Sequence, residues 1–105
     1  MGIQKVSSRG TQTCPTGEVS LATGKAMAMR MWQDEEPQDK APHRSPYETI
    51  GYVIAGRAEL TIDGEMVALE PGDSWLVPAN AEHAYRIVET FTAVECTSPP
   101  ALAAG

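Results

Sequence analysis

The chain has 105 residues, which is the size of one domain with one core and one small pocket. Its 14 acidic and 8 basic side chains give a net charge of −6, and no run of Lys or Arg offsets it, so we expect no nucleic-acid partner. Two histidines and two cysteines exclude a three-histidine metal site or a four-cysteine zinc site within one chain.

The apolar runs are too short to span a membrane, and residues 1–13 lack the hydrophobic stretch of a secretory signal. We therefore expect a protein of the cytoplasm with no membrane partner. In that compartment Cys14 and Cys96 are expected to be free thiols.

The first segment, residues 1–24, is polar and is predicted to be a loop or an edge segment. Residues 26–32 then alternate with a period of two, which indicates a strand with Arg30 and Trp32 on one face. A helix is the weaker interpretation because of Gly24 and Pro37. The opposite face holds Met27, Met29 and Met31, and we interpret these as a core or a dimer contact.

Residues 33–45 are polar and contain two prolines, so they are predicted to be a loop. After them the pattern predicts only short strands and turns. Turns are expected at 56–57, 63–64, 70–73 and 78–80, and strands at 49–55, 58–62, 65–69, 74–77, 83–88 and 91–96. Eight or so short strands indicate an all-β chain, an antiparallel sandwich or barrel.

Two segments carry a resemblance to a known family. The chain from His43 to the Tyr-Val-Ile-Ala-Gly run that ends at Gly56 resembles the first cupin motif, G(x)5HxH(x)3,4E(x)6G. The spacing of Gly72, Pro78 and His83 resembles the second, G(x)5PxG(x)2H(x)3N. The resemblance implies a small antiparallel β-barrel of the jelly-roll type. It divides the chain into an N-terminal segment at 1–24, a cupin barrel at 25–96 and a flexible tail at 97–105.

In cupins, two histidines and an acid from the first motif and one histidine from the second bind a metal. Here His43 and His83 stand at the first and last of these positions. Ser45 stands where the second histidine is usual, Thr49 stands at the acid position, and Glu48 lies one residue before it. The expected metal ligands are therefore His43, His83 and Glu48, around a divalent Fe, Mn, Ni or Zn ion at low occupancy.

The direction in which the Glu48 side chain points depends on the register of its strand. If His43 points into the barrel, strand alternation puts Ser45, Tyr47 and Thr49 on the same face and turns Glu48 away. A bulge at Pro46 would shift the register and turn Glu48 inward. Both alternatives stay open from the sequence.

The expected ligand-binding residues are the hydroxyl-bearing side chains of the pocket wall: Ser45, Tyr47, Thr49 and Tyr85. The first functional hypothesis is a cupin that binds a small polar ligand beside a weakened metal site. The second is a metal-dependent dioxygenase, isomerase or decarboxylase, and the third is a non-catalytic sensing or assembly module. Catalytic residues are not assigned, because the fold hosts many chemistries. We also expect a homodimer, since the methionine face offers apolar surface to cover.

Overall fold

The computed structural model describes residues 2–9, 13 and 17–101. Seven strands form one antiparallel sheet. They are β1 (Val19–Thr23), β2 (Ala28–Glu35), β3 (Gln38–Asp39), β4 (Glu48–Ile62), β5 (Glu65–Leu69), β6 (Ser74–Val77) and β7 (His83–Ser98). In the part of the chain so described, no helix has the length and apolarity needed to cross a membrane.

Two long strands organise the sheet. β4 and β7 pair along their whole lengths, from Glu48 opposite Ser98 to Ile62 opposite His83. These two strands form a long two-stranded ribbon. Strands β2 and β6 pair with the half that contains residues 49–52 and 91–97, and β1 lies at the outer edge of β2. Strands β3 and β5 pair with the other half. The arrangement is the all-β, antiparallel fold that the strand pattern predicts.

The core lies between the two halves of the bent ribbon. Trp32 and Ala93 come from one half, and Leu60 and Ile87 come from the other, and all four are buried in one apolar cluster. Aromatic rings link the halves: Trp32 lies 4.7 Å from Tyr85 between ring centroids, edge to face. This contact holds the ribbon bent around an enclosed interior.

The bend passes through a bulge. A turn was expected at Gly56, but β4 continues through it and only the β4–β7 register shifts between Val53 and Ala58. Gly56 has a φ of 83°, and a Cβ there would overlap the backbone of Thr90. The local signal for a turn was therefore the signal of a β-bulge, which bends a strand without ending it. β7 likewise continues through residues 89–90, where a break was expected.

One further expectation was wrong and another is narrowed. Residues 33–45 do not form one loop, because β2 runs to Glu35 and β3 follows at Gln38. The methionine face was expected to be core or a dimer contact, and it is not core, since Met27 is 56% exposed and Met29 is 38% exposed. The period-two alternation correctly assigned the two faces of β2, but it could not say which face would be covered.

Several side chains lie where the sequence indicated. The turn after Ile62 is a tight hairpin, with positive φ at both Asp63 and Gly64, and Asn80 has a φ of 66° in the loop before β7. Trp75 lies in the core. Cys96 is a free, half-buried cysteine on the outer face of the sheet, whereas Cys14 lies outside the described residues.

The inner face of the sheet depends on one glycine. Gly51 stands beside Trp75 in β6, and a Cβ on Gly51 would overlap the indole ring. We expect Gly51→Ala to lower the free energy of unfolding by about 1–3 kcal/mol, because the buried ring must move. Urea denaturation measures this. Gly24→Ala is the matched control, since the nearest atom to its Cβ lies at 3.4 Å and its φ is ordinary. Equal losses in the two variants would contradict the prediction.

Candidate functional site

A pocket of about 440 Å³ opens into the interior between the two halves of the sheet. Strands β2, β4 and β7 contribute to its wall, together with the segment that joins β3 to β4. The wall holds aromatic, hydroxyl, imidazole and ionic side chains. Those used below are Arg30, Trp32, Lys40, His43, Ser45, Tyr47, Thr49, His83, Tyr85 and Glu95.

The two histidines meet through their backbones. His43 lies in the segment before β4 and His83 is the first residue of β7, and each donates its N–H to the other's carbonyl at 3.0 Å. Asn80 supports this contact, because its N–H donates to the Ser45 carbonyl at 2.7 Å and its own carbonyl accepts from Arg44 at 2.9 Å. The left-handed turn at Asn80 therefore brings the two cupin-like segments together.

The imidazole rings are also neighbours, with centroids 4.3 Å apart. Nδ1 of His83 lies 3.0 Å from the Ala81 carbonyl, which can only accept, so Nδ1 carries the hydrogen and Nε2 keeps a lone pair. Burial and the neighbouring His83 lower the pKa of His43 below 6.5. In its neutral form, each ring of this pair can accept a hydrogen bond from a ligand.

The segment after His43 follows the alternation expected without a register shift. Ser45, Tyr47 and Thr49 are all buried and all line the pocket. Glu48 is exposed and is not part of the pocket wall. No group of three His, Cys, Asp or Glu side chains among the described residues is placed to hold a metal. Of the predicted ligands, the fold therefore brings together His43 and His83 and leaves Glu48 outside.

A buried ion pair, absent from the predicted site, lies deeper in the pocket. Arg30 in β2 and Glu95 in β7 are direct cross-strand partners, with Nε and Oε1 at 2.7 Å. The indole N–H of Trp32 donates to the same Oε1 at 2.9 Å. Glu95 is only 1% exposed, so burial raises the pKa of its carboxyl, and Arg30 and Trp32 partly oppose that rise.

Arg30 remains charged in this setting. Burial lowers the pKa of its guanidinium, but Glu95, Glu18 and Tyr47 together outweigh burial and raise the pKa above its ordinary value. The guanidinium also lies 5.7 Å from the Tyr47 ring centroid, within reach of a cation–π contact. The signal that could have found this pair was parity: Arg30 shares an inward face with Ala28 and Trp32, and Glu95 shares one with Ala93 and Thr97.

Tyr85 connects the ion pair to the core. Its hydroxyl oxygen accepts a hydrogen bond from the indole N–H of Trp75 at 3.0 Å, and its ring packs against Trp32 and His83. Burial raises the pKa of this phenol, so it stays protonated and its own O–H remains a donor. Tyr85 therefore lines the pocket, as predicted.

The comparisons with known proteins identify the family. The family model described as a cupin domain matches residues 30–98. The chain belongs to the cupin family. No curated protein sequence matches this cupin.

Solved structures show the same fold at low sequence identity. An RmlC-like cupin from Shewanella frigidimarina NCIMB 400 aligns with a TM-score of 0.80 at 18% identity, over 93% of this chain and 92% of that one. KdgF from Halomonas sp. aligns with a TM-score of 0.72 at 24% identity, over 79% of each chain. A putative ethanolamine utilization protein Q from Salmonella typhimurium LT2 aligns with a TM-score of 0.72 at 21% identity, over 79% and 68%. At these identities the likeness is one of fold.

The donors present here do not fit the four-ligand metal site that the cupin motifs imply. Two imidazoles are in place, but the second histidine position holds the Ser45 hydroxyl and the acid position holds the Thr49 hydroxyl. Neutral hydroxyls are weak ligands for Fe, Mn, Ni or Zn. What this cupin presents instead is a pair of adjacent imidazoles, together with hydroxyls and a buried ion pair, on one pocket wall.

The Arg30–Glu95 pair gives a prediction. Arg30→Met leaves the Glu95 carboxylate buried without its counter-ion, and we expect a loss of about 3–5 kcal/mol in the free energy of unfolding at pH 8. The folded-state pKa of Glu95 then lies further above its unfolded value, so stability falls as pH rises and the deficit is smaller at pH 5 than at pH 8. Urea denaturation at both pH values measures it.

Arg57→Met is the matched control for that experiment. Arg57 pairs with Glu89 at 3.3 Å, but both side chains are at least half exposed, so the expected change is below about 1 kcal/mol. If Arg30→Met lowers the free energy of unfolding no more than Arg57→Met does, the buried pair contributes no more than a surface pair. A loss that is the same at pH 5 and pH 8 would contradict the expected rise in the pKa of Glu95.

Proposed function

We propose that this cupin binds a small polar organic ligand in its pocket, with His43 and His83 beside the ligand. The observation that supports the proposal is the convergence of two adjacent imidazoles and several buried polar side chains on one cavity of about 440 Å³. Pockets of this size that combine an apolar wall with a few fixed polar groups are typical small-molecule sites.

The histidine pair suits hydrogen bonding and proton transfer. The Ala81 carbonyl fixes the tautomer of His83, so Nε2 accepts and Nδ1 does not change partners. His43 has a lowered pKa and is neutral at pH 7, which makes it a base rather than a cation toward a ligand. An imidazole in this state can accept a proton from a bound hydroxyl.

Metal dependence is the second candidate, and one contact favours it. A ring N–H held by a backbone carbonyl is the arrangement that orients many metal-binding histidines, and His83 has it through Ala81. A divalent ion held at His43 and His83 would take its remaining ligands from water or substrate, so we expect weak binding and low occupancy.

One experiment separates the two candidates. Thermal unfolding of the protein is followed with a panel of neutral, acidic and basic metabolites, in the presence of EDTA and again with added Mn(II), Ni(II) or Zn(II). We expect members of the panel to raise the Tm in EDTA, because the site binds ligand without an ion. His43→Gln together with His83→Gln should abolish the shift.

Glu48→Gln is the matched control, since Glu48 lies outside the pocket, and it should behave as the wild type. Ligand binding that requires a metal and is lost in Glu48→Gln would favour the metal-dependent enzyme over the metal-free site. A panel without any effect on the Tm, in EDTA or with metal, would overturn both.

We also propose that the partner is a second copy of the chain, bound through the outer face of the sheet. Cross-strand neighbours form two uncharged rows on that face. They are Met29, Cys96, Ile50 and Leu76 in one row, and Met31, Val94 and Tyr52 in the other. Each copy carries a net charge of −6, so copies repel least where charge is absent. Ile50 and Leu76 are about half exposed in the single chain, which a dimer would cover.

The outer face predicts an oligomeric state. Light scattering after size exclusion should give a dimer at micromolar concentration, and Ile50→Glu with Leu76→Glu should give a monomer, because two like charges would be buried on each side. Met66→Glu is the control, since Met66 is 54% exposed on β5, outside the two rows. A wild-type monomer, or a dimer that the double variant leaves intact, would sink the proposal.

A further inference from the structure

Five buried polar groups on the pocket wall lack a hydrogen-bond partner among the residues that the structure describes. They are the hydroxyls of Ser45, Tyr47 and Thr49, the O–H of Tyr85 and the Oε2 atom of Glu95. Each of these residues is 7% exposed or less. The hydrogen bonds that Tyr85 and Glu95 do make leave these groups free: the Tyr85 oxygen accepts one bond from Trp75, and Oε1 of Glu95 accepts two, from Arg30 and Trp32.

Such a concentration is unusual. Most buried polar side-chain atoms in proteins are hydrogen-bonded, and an unpaired one costs about 1–3 kcal/mol. All five groups line one cavity, so a single molecule in that cavity can reach them together. Four of the five are hydroxyls, which both donate and accept, and the fifth is a carboxyl oxygen.

The charges on the wall decide what kind of molecule fits. Three acidic and three basic residues line the pocket: Glu18, Asp39 and Glu95 against Arg30, Lys40 and Arg44. Every one of the three cations already has a protein partner. Arg30 pairs with Glu95, Lys40 lies 3.1 Å from Glu35, and Arg44 donates to the Asn80 carbonyl. A carboxylate or phosphate would have to share each cation with its protein partner, and an ammonium would find as many cations as carboxylates on the wall.

We propose that the ligand of this pocket is a neutral, polyhydroxylated molecule of monosaccharide or cyclitol size, bound through Ser45, Tyr47, Thr49, Tyr85 and Glu95. This inference rests on the proposed function and names its ligand class. The hydroxyls of such a molecule donate hydrogen bonds to Oε2 of Glu95 and accept one from Tyr85. With the hydroxyls of Ser45, Tyr47 and Thr49 they can both donate and accept. The side chains of Trp32 and Tyr47 also line the pocket and provide apolar surface for its ring carbons.

The probes form a matched set. The neutral members are D-glucose, D-mannose, D-galactose and myo-inositol, and the charged counterparts are D-glucuronate and D-glucosamine. Saturation-transfer NMR with the wild-type protein ranks them, and titration gives each Kd. We expect at least one neutral member to bind and each of its charged counterparts to bind at least tenfold more weakly.

Three variants test the residues without breaking a bond inside the protein. Ser45→Ala, Tyr47→Phe and Thr49→Val each remove a hydroxyl that has no protein partner, so the ligand-free protein should keep its stability or gain some. The same variants should raise the Kd of the neutral probe by about 3- to 10-fold each, the loss of one hydrogen bond. Tyr52→Phe is the matched control for the Kd, because Tyr52 lies on the outer face, outside the pocket wall, and should leave the Kd unchanged.

Glu95 is tested without mutation. In protein labelled with ¹³C at glutamate carboxyls, the Glu95 resonance should move on saturation with the neutral probe, while that of exposed Glu48 should not. Binding of the charged probes equal to or tighter than the neutral ones would overturn the inference and leave the proposed function standing. So would a Tyr47→Phe effect no larger than that of Tyr52→Phe, or an unmoved Glu95 resonance. If no probe of any charge binds and the metabolite panel is also inactive, the proposed function itself fails.

Discussion

The burial of one ion pair constrains the interior of this cupin. Arg30 and Glu95 face inward from paired strands. The next cross-strand neighbour of Glu95 is Gly51, and the neighbour of Gly51 is Trp75, whose indole ring leaves no room for a side chain at position 51. A charge in that position is stable only with its partner and its hydrogen bonds in place, because desolvation of either ion alone is costly. The 2.7 Å contact and the Trp32 N–H meet that condition. The pair thereby fixes how β2 and β7 face the cavity.

The same pair divides the interior into two ends. On one side of the ion pair, Val53, Phe91 and Ala93 are wholly buried and belong to the apolar core. On its other side, Tyr85 and Thr49 carry polar atoms toward the pocket. Tyr85 belongs to both ends, since its ring packs on Trp32 and its hydroxyl accepts from Trp75. A polar pocket beside an apolar core therefore requires no separate domain in a chain of 105 residues.

Sequence reasoning predicted the fold because its signals are local: period-two alternation, hairpin turns and the two cupin-like segments. It also placed His43 and His83 in one pocket, and the alternation correctly grouped Ser45, Tyr47 and Thr49. It read Gly56 as a turn because a positive φ serves a bulge and a turn alike. It missed the Arg30–Glu95 pair because parity alone places each side chain on an inward face, whereas the contact joins residues 65 positions apart. Which face of β2 is covered is likewise a property of the whole sheet.

The departures from the metal-binding pattern change the chemistry of the site in one consistent direction. An imidazole position holds Ser45 and the acid position holds Thr49, while the buried carboxyl of Glu95 on the pocket wall is bound to Arg30. Each exchange replaces a metal ligand by a group that recognises hydroxyls. A site built from such groups selects its ligand by the number and direction of hydrogen bonds, since an analogue that lacks one leaves a buried polar group unpaired. Under the proposed function, the two histidines would contact a ligand that is held mainly by Ser45, Thr49 and Glu95.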